Sequence, residues 1–310
     1  MGGCAGVRGG AGKVVVIGAG YGGATAARYI KMWAPDIDVT IVERSNEFIS
    51  CPLSNLVIGG NTAIGELTYS YDGLKRRGIT ILRDEATAID AQKREVRLAG
   101  GHVLNYDRLI VSPGIEFMFG SIPGLNTTDA QNRVLHAWKA GPQTLALRKQ
   151  LEDMRDGGVY ALHIPKAPYR CPPGPYERIC QVADYFKRAK PKSKILVLDS
   201  NEDLVSKKGL FLAAWNGQYK GMIEYRPNSE LVDVDVKTLT AKLQFEDVRA
   251  DVLNVVPAQK AGLIAEKAGL INANNRWCAV DWTTMESTAV KSVHVLADAT
   301  LSAPAMPKSA

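Results

Sequence analysis

The stretch that most limits how this chain can fold is KVVVIGAGYGGATAARYIKMWAPDIDVTIVE, Lys13 to Glu43. Val14 to Ile17 is a continuous apolar, β-branched run, which predicts a strand buried on both faces. Gly18, Gly20 and Gly23 follow as G-x-G-x-x-G, then a helical stretch carrying Ala24, Ala26 and Ala27, then a second strand over Val39 to Val42. Glu43 closes the unit 20 residues beyond Gly23. Gly18 permits a tight turn, Gly20 lets the backbone approach a pyrophosphate, and Gly23 lets helix and strand pack closely. The helix N-terminus offers unpaired N–H groups and a positive dipole end, while Glu43 can accept from a ribose hydroxyl. An ADP moiety is therefore expected here, and the fingerprint does not by itself separate FAD from NAD.

Length and charge set the surrounding limits. A chain of 310 residues, 46% hydrophobic and 23% charged, can bury a sizeable core and predicts two domains. Its net charge of +6 could favour anionic substrates or an acidic partner, but Lys187, Arg188, Lys190, Lys192 and Lys194 read as a solvated helix end and turn. The basic residues lack the aromatic interleaving of a nucleic-acid surface. No apolar run is long enough to cross a bilayer, and MGGCAGVRGGAG reads as a flexible start without an export signal, with Cys4 incidental. Cys4, Cys51, Cys171, Cys180 and Cys278 include no C-x-x-C pair and the four histidines are scattered, so no metal site is expected.

Further along, Cys51 falls just after the second strand, where a loop can lie beside a cofactor held at the first helix. Read alone, it is equally a buried thiol packing as a small hydrophobe. Ile79 to Leu82, Glu95 to Leu98 and Leu109 to Val111 read as strands and hairpins. Pro142 to Met154 reads as an amphipathic helix leading to a strand at Val159 to Ile164. After that strand comes PKAPYRCPPGPYER instead of a second glycine fingerprint, and its prolines at 172, 173 and 175 remove N–H donors a pyrophosphate would need. NAD(P)H binding is not expected in this half. From spacing alone, Pro172 to Pro175 could be a rigid turn before a helix with Glu177 in its first turn, or part of a reactive site. Lys194 to Asp199 reads as the next strand, Val232 to Val256 as strands, and Val293 to Ala299, VHVLADA, as an apolar strand running into Asp298.

Several of these stretches together, FISCPLSN with its following I-G-G, YDGL at Tyr71 to Leu74, YDRLIVSPGI at Tyr106 to Ile115, and PYRCPPGPYE, resemble the flavoprotein subunit of flavocytochrome c sulfide dehydrogenase. The resemblance extends over nearly all of residues 13 to 309. It implies an α/β fold of two dinucleotide-binding, glutathione-reductase-like Rossmann domains: a flexible 1–12, an FAD-binding domain over 13–115 plus 263–310, and a degenerate NAD-type domain over 116–262, with the family's C-terminal domain missing. It implies FAD held by Gly18, Gly20, Gly23, Glu43, Pro113, Gly114 and Asp298 and joined covalently to Cys51 through a thioether. Ala297 stands where the family has glycine before that aspartate.

By the same resemblance, Cys171 is half of a redox disulfide beside the flavin and Glu177 a proton handler. The disulfide partner is expected in a C-terminal segment beyond the M-P-K-S motif, and Cys180 and Cys278 are the other candidates. The implied activity is periplasmic oxidation of sulfide, electrons passing from FAD to a c-type cytochrome subunit that carries the haem, since this chain has no C-x-x-C-H. Two other readings are a pyridine nucleotide-disulfide reductase using Cys51 as a redox thiol, and a non-catalytic flavin-binding fragment.

Overall fold

The computed structural model describes residues 12–301; Cys4, the glycine-rich start and the closing AMPKS segment lie outside them. Strand β1, Lys13–Ile17, has Val14 to Ile17 buried and lies at the centre of a five-stranded parallel sheet. On one side it pairs with β2, Asp38–Glu43, then Thr80–Arg83; on the other with Arg108–Val111 and then Val293–Val295. The unbroken β-branched run of β1 is what a strand covered on both faces requires. Helix α1, Tyr21–Trp33, covers one face through Ala26, Ala27 and Ile30, which pack with Val14, Val16 and Ile41. The other face meets an antiparallel sheet of Ala86–Asp90, Glu95–Leu98 and Val103–Asn105, whose Val96 and Leu98 pack with Val15, Ile17 and Val111.

Two sequence expectations need adjusting. Of the short alternating runs, only Glu95–Leu98 forms a hairpin; Thr80–Arg83 and Arg108–Val111 are parallel strands of the main sheet. Period-two alternation reports which face is wet, not which neighbour pairs. The run at Val293 is a strand only to Val295, and the chain then turns through a 3-10 stretch, Ala297–Ala299, with Ala297 at φ 59°. The replaced glycine is therefore a matter of backbone conformation as well as an extra methyl, since left-handed φ costs a residue with a Cβ about 1 kcal/mol.

The chain leaves this sheet through Ile115–Phe117 and returns through Gln259–Ala261, an antiparallel pair. Between them lies a second parallel sheet, ordered Ile223–Arg226, Lys194–Asp199, Val159–Ile164, Val252–Val255. A three-stranded antiparallel sheet, Leu231–Asp235, Thr240–Leu243 and Asp247–Arg249, packs beside it. Helix Gly174–Ala189 buries Ile179, Val182, Ala183 and Phe186 against the parallel strands. The short helix Ser54–Gly59, from the first half of the chain, lies against that helix so tightly that a Cβ on Gly59 would stand 2.9–3.1 Å from Gln181. That contact brings the turn at Cys51 beside the loop that follows Val159–Ile164. Among the described residues, no helix is long and apolar enough to cross a membrane.

Candidate functional site

At the C-terminal end of β1 the chain turns through Gly18 at φ 95°. A Cβ there would stand 2.3 Å from the Ser112 carbonyl oxygen, and one on Gly23 would stand 2.0 Å from the Gly18 carbonyl oxygen, so both positions admit only glycine. Gly20 differs, with nothing within 4 Å of where its Cβ would be. The empty ground before the α1 N-terminus opens into a cavity of about 350 Å³. Gly18, Gly20, Glu43, Cys51, Pro113, Gly114 and Asp298 all line it, while Gly23 lies behind, in the packing of helix on strand. Glu43 accepts from the N–H groups of Ala19 and Ser45, both at 2.8 Å, which fixes its carboxylate at the cavity edge.

Deeper in, the wall carries charged groups that pattern reading did not single out. Arg170 is 9% exposed. It donates to the Trp138 carbonyl and approaches Cys51 Sγ at 3.6 Å. Its Nε lies 3.8 Å from Asp298 Oδ2, and both that Nε and Asp298 Oδ1 are buried without a hydrogen-bond partner. Burial pushes the Asp298 carboxyl up to about 6, against the pull of Arg170. An unspent donor and an unspent acceptor in a cavity wall fit a ligand with a polar edge, and open space at a helix N-terminus fits a pyrophosphate. The residues present thus suit a dinucleotide such as FAD. Arg170 stands beside Cys171 in the sequence, yet 119 residues separate it from Cys51, so only the tertiary fold reveals the contact.

A smaller cavity of about 20 Å³ adjoins the first, lined by Cys51, Asn55, Trp138, Arg170, Cys171, Glu177 and Arg178 among others. Cys171 holds φ 59°, a strained backbone for a residue with a Cβ. Cys171 and Glu177, paired on the resemblance, line the same small space, and Cys51 bridges both cavities. Cys171 is a free thiol; burial, and then the Glu177 charge, push its pKa up, while Arg170 pulls it down. Burial also raises Glu177, partly opposed by Lys207. Cys180 sits in the helix after Glu177 and Cys278 is fully buried beside Trp277, with its thiol pushed up to about 12 by burial.

Two matches to known families cover this ground. Residues 144–257 match the family profile described as sulfide dehydrogenase [flavocytochrome c] flavoprotein chain, central, and residues 12–150 match pyridine nucleotide-disulphide oxidoreductase. The mitochondrial sulfide:quinone oxidoreductase of Dictyostelium discoideum is 23% identical over 302 residues, 92% of this chain and 65% of that protein. The chain thus spans about two thirds of the length of that curated relative. The sulfide dehydrogenase [flavocytochrome c] flavoprotein chain of Chlorobaculum thiosulfatiphilum is 49% identical over 45 residues, 14% of this chain and 94% of that sequence. Among solved structures, the sulfide:quinone oxidoreductase of Aquifex aeolicus superposes with a TM-score of 0.81 at 19% identity, covering 96% of this chain and 72% of that one, which establishes the common fold.

Proposed function

We propose that this chain, a flavoprotein of the sulfide dehydrogenase and sulfide:quinone oxidoreductase type, is a sulfide-oxidising subunit that hands electrons to a c-type cytochrome. The observation that carries this reading is the convergence of Cys51, Cys171, Glu177 and Arg170 on two adjoining cavities, one of them the size of a single small molecule. FAD, when bound, supplies an acceptor for an electron pair that can leave as single electrons. The first βα turn and Glu43 would hold its ADP half; Pro113, Gly114, Asp298 and Arg170 would face the remainder. Cys51 is the candidate attachment point, its sulfur 3.3 Å from the Ala140 N–H and 3.6 Å from the Arg170 guanidinium.

Cys171 is the candidate sulfur nucleophile or disulfide half. Glu177, its carboxyl raised by burial, is suited to hold and release a proton beside it. The cytochrome as acceptor, the periplasm as location and the thioether all belong to this proposal, which draws on the family match over residues 144–257. The long match to a mitochondrial sulfide:quinone oxidoreductase favours a second reading, in which a quinone takes the electrons.

Acid precipitation of the FAD-loaded protein tests the attachment. Flavin should stay in the pellet, and should pass to the supernatant in Cys51→Ser. Anaerobic turnover with sulfide then separates the acceptors: cytochrome c reduction without quinone reduction supports the proposal, the reverse supports the second reading, and neither defeats both.

A further inference from the structure

The small cavity holds a cation that nothing balances. Arg178 is 1% exposed, and its guanidinium donates to Asn55 Oδ1 at 3.0 Å, the His136 carbonyl and Asn254 Oδ1 at 2.8 Å each, and the Ala137 carbonyl at 2.6 Å. All four acceptors are neutral. No ion pair among the described residues includes Arg178. Its Cζ lies 5.0 Å from the centroid of the Trp138 ring, an apolar wall that excludes water. Burial lowers its pKa only to about 10, so it is charged at neutral pH. A buried charge left without a counter-charge costs several kcal/mol, and a small anion in the adjoining space would offset that cost.

The groups around the cavity narrow what that anion is. Arg170, a second cation, lines it from the loop, and Glu177 lines it from the helix with its carboxyl raised by burial. Cys171 is held toward the neutral thiol, and His136, whose carbonyl Arg178 binds, is pushed down to about 3 and stays neutral. The space of about 20 Å³ exceeds the roughly 10–15 Å³ that a water molecule needs, and no polyatomic oxyanion would fit. Gly174 keeps that space open: a Cβ there would stand 3.0 Å from Cys171 Sγ and 2.9 Å from the Trp138 ring.

We propose that Arg178, seconded by Arg170, forms a binding site for one small monovalent anion between Cys51 and Cys171, and that the protein takes sulfide there as hydrosulfide and not as neutral hydrogen sulfide. The identity of the physiological anion rests on the function proposed above; the anion site itself does not. Arg178 acts as a recognition and positioning residue, bringing the sulfur anion against Cys171 with its charge already in place.

The test is an oxygen-free calorimetric titration of hydrosulfide into the FAD-loaded protein after full reduction, where binding occurs without electron transfer. Affinity should rise with pH across the first ionisation of hydrogen sulfide, and bromide should compete. Arg178→Gln should weaken both anions at least tenfold, Arg178→Lys should keep most of the binding, and Gly174→Ala should abolish it. Affinity that falls with rising pH, or equal binding by a folded Arg178→Gln, would overturn the site. Should Arg178→Gln fail to fold, bromide-soaked crystals of the unaltered protein decide, by whether an anomalous peak stands beside Arg178. Bromide binding without sulfide oxidation would sink the proposed function and leave the site; sulfide oxidation with Arg178-independent binding would do the opposite.

Discussion

The two parallel sheets begin alike and end differently. After β1 the chain reaches α1 within three residues, through glycines that leave N–H groups free and space open. After Val159–Ile164 it takes nine residues, four of them proline, before the helix at Gly174. Each second strand ends in an acid, Glu43 or Asp199. Glu43 lines the large cavity, whereas Asp199 is fully buried and accepts from Tyr176 at 2.8 Å, Tyr225 at 3.1 Å and the Asn201 N–H at 3.0 Å. A nucleotide cradle needs donors and space left unspent. The second half spends the same positions on internal bonds and uses its long loop to present Arg170 and Cys171 to the first.

The sharpest way to break this comparison is in the glycines. Gly23→Ala drives a methyl into the Gly18 carbonyl, and should cost about 3 kcal/mol of stability and weaken FAD binding at least a hundredfold, read by thermal melting and flavin fluorescence. Gly20→Ala meets nothing and should leave the FAD-free protein within about 0.5 kcal/mol, while still losing about tenfold in FAD affinity because its methyl enters the pyrophosphate's space. Equal effects from the two variants would mean that the space before α1 is not a phosphate site.

In the second half, Asp199→Ala leaves one buried and one half-buried hydroxyl without their acceptor and should cost about 2–3 kcal/mol, measured by urea denaturation, without creating NADH binding. NADH binding by that variant would show that the internal bonds alone keep the nucleotide out.

A further variant concerns pH. Asp298 is raised from 3.8 to about 6, so between those values the folded chain holds a proton that the unfolded chain has lost, and stability falls as pH rises. His136 is lowered from 6.5 to about 3, chiefly by burial and then by Arg178, so over its window the unfolded chain holds the extra proton and stability rises with pH. The two slopes oppose each other between about pH 4 and 6. Asp298→Asn should therefore expose the histidine slope, a loss of about 1 kcal/mol per unit on acidifying from 6.5, in urea melts of the FAD-free protein. A flat profile in that variant would place His136 in a more solvated setting. The smallest effect should come from the exposed Lys149–Asp153 pair, where Asp153→Ala should change stability by less than about 0.5 kcal/mol, with no difference in FAD binding.

Much of the fold was legible because periodicity and glycine chemistry are local. The β1–α1–β2 unit, the helix at Pro142 and the strands at Val159 and Lys194 all fall where the pattern puts them. The pairing of Thr80–Arg83 and Arg108–Val111 was not legible, since alternation carries no information on strand partners. Nor was the backbone at Ala297, where a residue with a Cβ sits in a conformation that the sequence pattern assigns to glycine. At the site, the glycines, Glu43 and the two cysteines had signatures in the chain. Arg170, Arg178 and Trp138 had none, because an arginine in a helix or loop usually reads as a solvated surface charge.

The sequence by itself determined that a dinucleotide fits the first βα turn: free N–H groups, a tight turn and a close helix crossing follow from three glycines, whatever surrounds them. Only the tertiary structure decided that Cys51 and Cys171 would line one small space beneath two guanidiniums. That juxtaposition depends on the helix Ser54–Gly59 docking against Gly174–Ala189 across more than a hundred residues, with Asn55 receiving Arg178 and donating to the Gly174 carbonyl. Burial, which raises Cys171 and Glu177 and lowers Arg178, is a property of that packing and of no single stretch of chain.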